Sequence, residues 1–166
     1  MSTPTEIRPG QADAMRAASK LKGYPAPSQL ATVTDLTSQE AQAITEALNP
    51  LIADAFALYI KTKNFHWHVA GSHFDDYHRL FDNQAEQILA SIDSMAERVR
   101  RVGGTTIRSI SHISQMQTIA DDNDSFVPAG EMARRLMQDN LHAAGMQRAA
   151  IAVCERSRDS VTANIL

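Results

Sequence analysis

Five side chains stand out for the chemistry their types and spacing permit. His66 is followed by His78 and Asp82, and then by Asp93 and Glu97. His78/Asp82 and Asp93/Glu97 are i,i+4 pairs. Residues four apart share a helix face, so each pair offers two ligands to one cation. Mixed imidazole and carboxylate donors suit iron, manganese or zinc. The single cysteine, Cys154, excludes a Cys-based zinc site and an internal disulfide framework, and fits a reducing compartment. Either pair alone reads most simply as a solvated helix face. The interval between the pairs says more. Asp82 and Asp93 are separated by about 1100° of helical rotation, three turns and about 20° more, so both pairs face the same way. Their separation along the axis is about 16.5 Å, far beyond metal–ligand bonds of roughly 2 Å. One chain therefore cannot close both pairs on one ion. Two copies of the helix, antiparallel about a two-fold axis near Gln87–Ile88, bring His78/Asp82 of one against Asp93/Glu97 of the other, twice. The pattern predicts an isologous dimer with two equivalent interfacial sites.

Positioning these residues requires long helices. Thr37-Ser38-Gln39-Glu40 is a capping-box pattern. Behind it Leu48, Leu51/Ile52, Ala55, Leu58/Tyr59 and Thr62 recur at helical spacing to about Val69, where Gly71 ends the run. Pro50 removes one backbone hydrogen bond and is expected to kink this helix or mark an irregular turn. A second apolar stripe runs from Phe74 through Phe81, Ala85, Ile88, Ile92 and Val99 to Val102, and Gly103-Gly104 stops it. Residues 109–119 suggest a short connecting helix, and Asp121-Asp122-Asn123-Asp124 a solvated loop. A third long helix is expected over Ala129–Arg156. Asp159 reads as the cap of a fourth, over Val161–Leu166, which is left incomplete. Helices joined by short or medium connections point to an all-α antiparallel bundle.

The 166 residues suit one domain with a tail. Seven Gly and six Pro are too few for an all-β chain of tight turns, and 43% apolar with 21% charged residues excludes wholesale disorder. A net charge of −3 gives no bulk signal for nucleic-acid binding. No secretory leader is legible, and no apolar run approaches the roughly 20 residues that span a bilayer. Residues 1–36 differ from the rest. They hold four of the six prolines, a candidate short helix over about 11–22, and the basic residues Arg8, Arg16, Lys20 and Lys22.

Taken together, the run Lys63-Asn64-Phe65-His66-Trp67-His68-Val69-Ala70-Gly71, then Phe74, His78-x-x-x-Asp82, Asp93-x-x-x-Glu97-Arg98 and Gly103-Gly104 strongly resembles the Dps family, the mini-ferritins or DNA-binding proteins from starved cells. The resemblance covers about residues 36–166. It implies a ferritin-like four-helix bundle with a short connecting helix, assembled as a hollow homo-dodecamer in the cytoplasm, nucleoid-associated where DNA is bound. It implies a ferroxidase: Fe(II) is oxidised, preferably by hydrogen peroxide, and stored as ferric mineral, which protects DNA. A paired iron site lets peroxide take two electrons without releasing hydroxyl radical. Carried over by position, His66, His78 and Asp82 come from one chain and Asp93 and Glu97 from its mate. Glu97 and Asp93, with the mate's His66, hold the better-bound iron, and His78 and Asp82 the second. Trp67 sits close to the site and Lys63 approaches its carboxylates. Zinc or manganese are the candidate substitutes for iron.

The remaining polar residues are assigned more simply. His68 and His73 read as exposed loop histidines, and His112 and His142 have no partner at ligand spacing. Relatives admit iron through acidic three-fold pores near the start of the last helix, and here that region offers Asp159 beside Ser160 and Asn164. The tail's Arg8, Arg16, Lys20 and Lys22 are the candidate DNA contacts. They underlie an alternative reading as a DNA-compacting nucleoid protein with incidental metal binding.

Overall fold

A computed structural model describes residues 28–166. The candidate helix over 11–22 and the basic residues Arg8, Arg16, Lys20 and Lys22 lie outside the described residues. After a short 3-10 turn, Ser28–Leu30, the described chain forms α1 (Ser38–His68), α2 (Phe74–Arg101), α3 (Ile110–Met116), α4 (Ala129–Arg156) and α5 (Ser160–Ala163). It is all-helical, as expected, and the three long helices have the predicted bounds to within a residue.

α1 begins where the capping box places it. The Thr37 hydroxyl accepts from the Glu40 amide, and Glu40 Oε2 accepts from the Thr37 amide at 2.9 Å. The helix runs through Pro50 without a break. Packing explains this, because Leu48, Leu51 and Ile52 on either side are at most 4% exposed and hold the turn in place. By length and composition α1 is apolar enough to cross a membrane, which the sequence reading did not foresee. Here it is the central helix of the bundle, with Ile44, Leu48, Ile52, Leu58 and Phe65 buried.

The core has two parts. One joins α1 through Ile44, Leu48 and Ile52 to Ile92, Met95 and Val99 of α2 and to Ala150 and Cys154 of α4. The other gathers Leu58, Phe65, Phe81, Ile119, Val127, Met132 and Leu136 around the opposite end. Between α2 and α3 the chain turns at Gly103, whose φ of +92° suits glycine. At the next residue a Cβ would collide with the Thr45 side chain, so Gly104 permits the turn to lie against α1.

Buried polar groups tie down the connections. Asp54, 2% exposed, accepts from the Thr118 amide at 2.5 Å, the Ile119 amide at 2.9 Å and the Thr118 hydroxyl at 2.7 Å. That satisfies a buried carboxylate and fixes the α3–α4 connection. Lys61 reaches Asp139 of α4 at 2.6 Å. α5 is a single turn, capped by Asp159 as predicted. Beyond it, Leu80, Met137 and Leu141 remain 44%, 54% and 64% exposed along the groove between α2 and α4.

Candidate metal centre

The end of α1 and the first turns of α2 are joined by the short 69–73 connection, which runs through Gly71 (φ +101°) and His73 (φ +63°). This connection sets His66 beside His78. Their rings stack with centroids 3.8 Å apart and planes inclined by 26°. His66 Nδ1 lies 2.9 Å from the His78 carbonyl oxygen, and His78 Nδ1 lies 2.9 Å from the His66 carbonyl oxygen. A carbonyl only accepts, so both Nδ1 atoms carry the proton and donate. In the neutral rings both Nε2 atoms are thereby left with a free lone pair. This is the orientation that backbone carbonyls impose on metal-ligating histidines. Phe74 stacks on the outer face of His78 at 5.0 Å.

Asp82, one turn beyond His78, completes this half. Its Oδ1 lies 3.8 Å from His66 Nε2 and accepts from Lys63 Nζ at 2.6 Å. The hydrogen bond from Lys63 holds the Asp82 carboxyl below its ordinary value. Lys63 also sits 5.9 Å from the centroid of Trp67, whose ring is 60% exposed. Lys63 thus covers one oxygen of the Asp82 carboxylate.

Asp93 and Glu97 stand elsewhere on α2, both exposed. Glu97 accepts from Arg101 at 2.6 Å, and Asp93 has no hydrogen-bond or ion-pair partner among the described residues. Among the described residues of one chain, no three His, Cys, Asp or Glu side chains converge as a cation would need. The subunit thus brings His66, His78 and Asp82 to one place and leaves Asp93 and Glu97 apart, on the same face of the same helix.

Asp159 occupies a different kind of position. A possible pore residue by the family resemblance, it has a side chain buried at 5% exposure. It accepts from Arg98 Nη2 at 2.7 Å and from the Thr162 amide at 3.0 Å. Burial raises its pKa, but the hydrogen bonds from Arg98 and Thr162 outweigh burial and hold it below the ordinary carboxylate value. In the subunit its carboxylate is consumed by the cap and the ion pair. His68 and His73 are exposed, as expected. His142 Nε2 meets the Thr118 hydroxyl at 2.7 Å. Since that hydroxyl donates to Asp54, His142 is the donor. Two features of the site escaped the sequence reading. The Glu97–Arg101 pair was legible as an i,i+4 contact. The reciprocal histidine–carbonyl bonds have no sequence signal, because they depend on how α1 and α2 meet.

The bundle and its half-site define the class. The sequence profile of the ferritin-like domain matches residues 45–166. DpsC from Streptomyces coelicolor superposes with a TM-score of 0.77, covering 81% of this chain and 78% of that one at 26% identity. The Dps protein from Bacillus brevis superposes with a TM-score of 0.74, covering 78% and 87% at 28% identity. In sequence, the DNA protection during starvation protein of Brevibacillus brevis is 30% identical over 125 residues, 75% of this chain and 83% of that one. An uncharacterised low temperature-induced protein of Nostoc sp. is 35% identical over 105 residues, 63% of this chain. The chain spans 59% of the length of that relative. The chain belongs to the ferritin-like domain family and, within it, to the Dps proteins.

Proposed function

We propose that the chain is an iron-storing ferroxidase subunit whose reacting centre is completed by a second copy. The observation that carries this reading is the pairing of His66 and His78. Two imidazoles are locked by reciprocal bonds with both Nε2 atoms free, 3.8 Å from a carboxylate at the nearer one. Such an arrangement offers imidazole nitrogens and a carboxylate oxygen to a cation. In this reading His66, His78 and Asp82 of one subunit meet Asp93 and Glu97 of its two-fold mate, and the dimer holds two such centres. Fe(II) is the substrate. Two Fe(II) ions give one electron each to hydrogen peroxide, which takes up two protons and leaves as two waters, with Fe(III) as the product. Taking both electrons at one centre avoids the one-electron step that frees hydroxyl radical.

Carboxylates favour the ferric product, and the histidines supply the neutral donors that Fe(II) accepts. Lys63 holds Asp82 ionised before iron arrives and is displaced by it. The twelve-subunit cage and its ferric store follow the Dps relatives, as does protection of DNA by removing iron and peroxide. A cytoplasmic setting agrees with the lone buried thiol, Cys154.

Trans-complementation tests the shared centre. Asp82→Asn and Glu97→Gln chains each oxidise Fe(II) no faster than buffer. Unfolded and refolded together, they regain about a quarter of the wild-type centres, because each mixed dimer carries one intact site. Rates measured by ferric absorbance after anaerobic Fe(II) loading and peroxide addition give the answer. No recovery on mixing, or full activity in Glu97→Gln, rejects the reading.

A further inference from the structure

Phe74 opens α2 at 43% exposure and joins neither part of the core. Its one ring partner among the described residues is His78, a helical turn further on, with centroids 5.0 Å apart and planes inclined by 26°. His78 also stacks on His66 at 3.8 Å with the same inclination. One face of an imidazole has room for one stacked ring, so His78 lies between His66 and Phe74.

The two histidines are not held alike. His66 is 8% exposed, so the protein interior confines its ring. His78 is only half-buried. Its Nδ1 bond to the His66 carbonyl pins one edge of the ring. A single bond still lets the ring rock about that point, because the torsion that turns an imidazole is soft. Turning it over would exchange Nδ1 with Cδ2 and Nε2 with Cε1. A second ring on the open face blocks both movements. We propose that Phe74 is a positioning residue for His78: its ring closes the open face of the imidazole and holds Nε2 where it can meet iron. This rests on the ferroxidase reading above and assigns that centre a residue outside its ligand set. Aromatic pairs gain from their geometry beyond plain burial, so Phe74 supplies a ring face and not apolar bulk alone.

Long-range proton–nitrogen NMR spectra of the imidazoles in the metal-free full chain test the hold on the ring directly. Recorded above the histidine titration range, they read which nitrogen carries the proton. In the wild type His66 and His78 are both expected in the Nδ1–H form. Phe74→Ala should leave the His66 signals in place and turn those of His78 into an average of the two tautomers. In peroxide-driven oxidation the KM for Fe(II) should rise about tenfold, the lower end of what the loss of a ligand's support costs, with kcat within twofold, as when binding alone is weakened. Phe74→Tyr keeps the ring and should preserve both wild-type readouts. Phe74→Leu keeps the bulk and should preserve neither. Wild-type His78 signals in Phe74→Ala or in Phe74→Leu overturn the proposal. Should Phe74→Ala fail to fold, the comparison of Tyr with Leu gives the same answer. If the wild type oxidises no Fe(II), the ferroxidase reading fails, and the metal-free spectra still decide the role of Phe74.

Discussion

His66 and His78 each donate an Nδ1 proton to the other's backbone carbonyl at 2.9 Å. Each histidine is therefore the support that orients the other. Two rings are hydrogen-bonded without spending any further side chain, and the His66 Nε2 lies 3.8 Å from Asp82 Oδ1. While the His66 backbone carbonyl that aims His78 remains, His66→Gln removes one Nε2 and the ring that stacks on His78. It should lower the rate of peroxide-driven Fe(II) oxidation by about 100-fold, the scale seen when a ligand's orienting partner is lost. His78→Gln should do nearly the same. Isothermal titration with Fe(II) under argon reads the loss of binding directly. An effect of His66→Gln far smaller than that of Asp82→Asn would show that the reciprocal pair is dispensable.

Lys63 holds the Asp82 carboxylate in an ion pair at 2.6 Å. Its hydrogen bond depresses the Asp82 pKa below 3.8, so the carboxylate stays ionised as pH falls through the usual carboxylate range. A depressed pKa contributes stability above the unfolded value and loses it as pH drops through the folded one. Lys63→Met removes the largest cause of the depression. The Asp82 carboxyl is then expected to titrate at higher pH, while the rate at neutral pH is kept or raised because no ammonium needs displacing. A carboxyl NMR titration and the neutral-pH rate check the two; an unmoved Asp82 titration rejects this role for Lys63.

Asp159 is expected to matter for folding. Buried, it joins the start of α5 to Arg98, the residue after Glu97. Asp159→Asn leaves Arg98, 16% exposed, without its counter-charge. The expected cost is on the order of 2 kcal/mol, as for a buried charged hydrogen bond left half-made. Urea titration followed by circular dichroism measures it. Because the Asp159 pKa is depressed in the fold, wild-type stability should fall as pH drops below the ordinary carboxylate value, and the variant should lose this part of its pH dependence.

Gly104→Ala probes the turn that follows α2. A methyl there meets Thr45, which lies on α1 among core residues. A loss of about 1–3 kcal/mol is expected, as for overpacking elsewhere. Trimming the obstacle with Thr45→Ala in the same chain should return most of it. Thermal melts of the single and double variants decide the matter; additive losses would mean the two residues do not collide.

Much of this protein is written locally in its chain. The capping box at Thr37–Glu40, the glycine stop at Gly103-Gly104 and the cap at Asp159 each specify a helix end through groups within four residues, so their effects are readable from sequence. The i,i+4 spacing of His78/Asp82 and Asp93/Glu97 likewise fixes a helix face before any packing is known. Other features depend on residues far apart in sequence. Pro50 continues its helix while Leu48, Leu51 and Ile52 beside it are buried in a core shared with α2 and α4. Asp159 turns inward because Arg98, 61 residues earlier, meets it. The tautomers of His66 and His78 are set by the approach of two backbones across the 69–73 connection. Periodicity carries the direction a side chain takes from its own helix. Only tertiary packing decides what it meets there, because hydrogen bonds and charges act over a few ångströms of space that sequence distance does not measure.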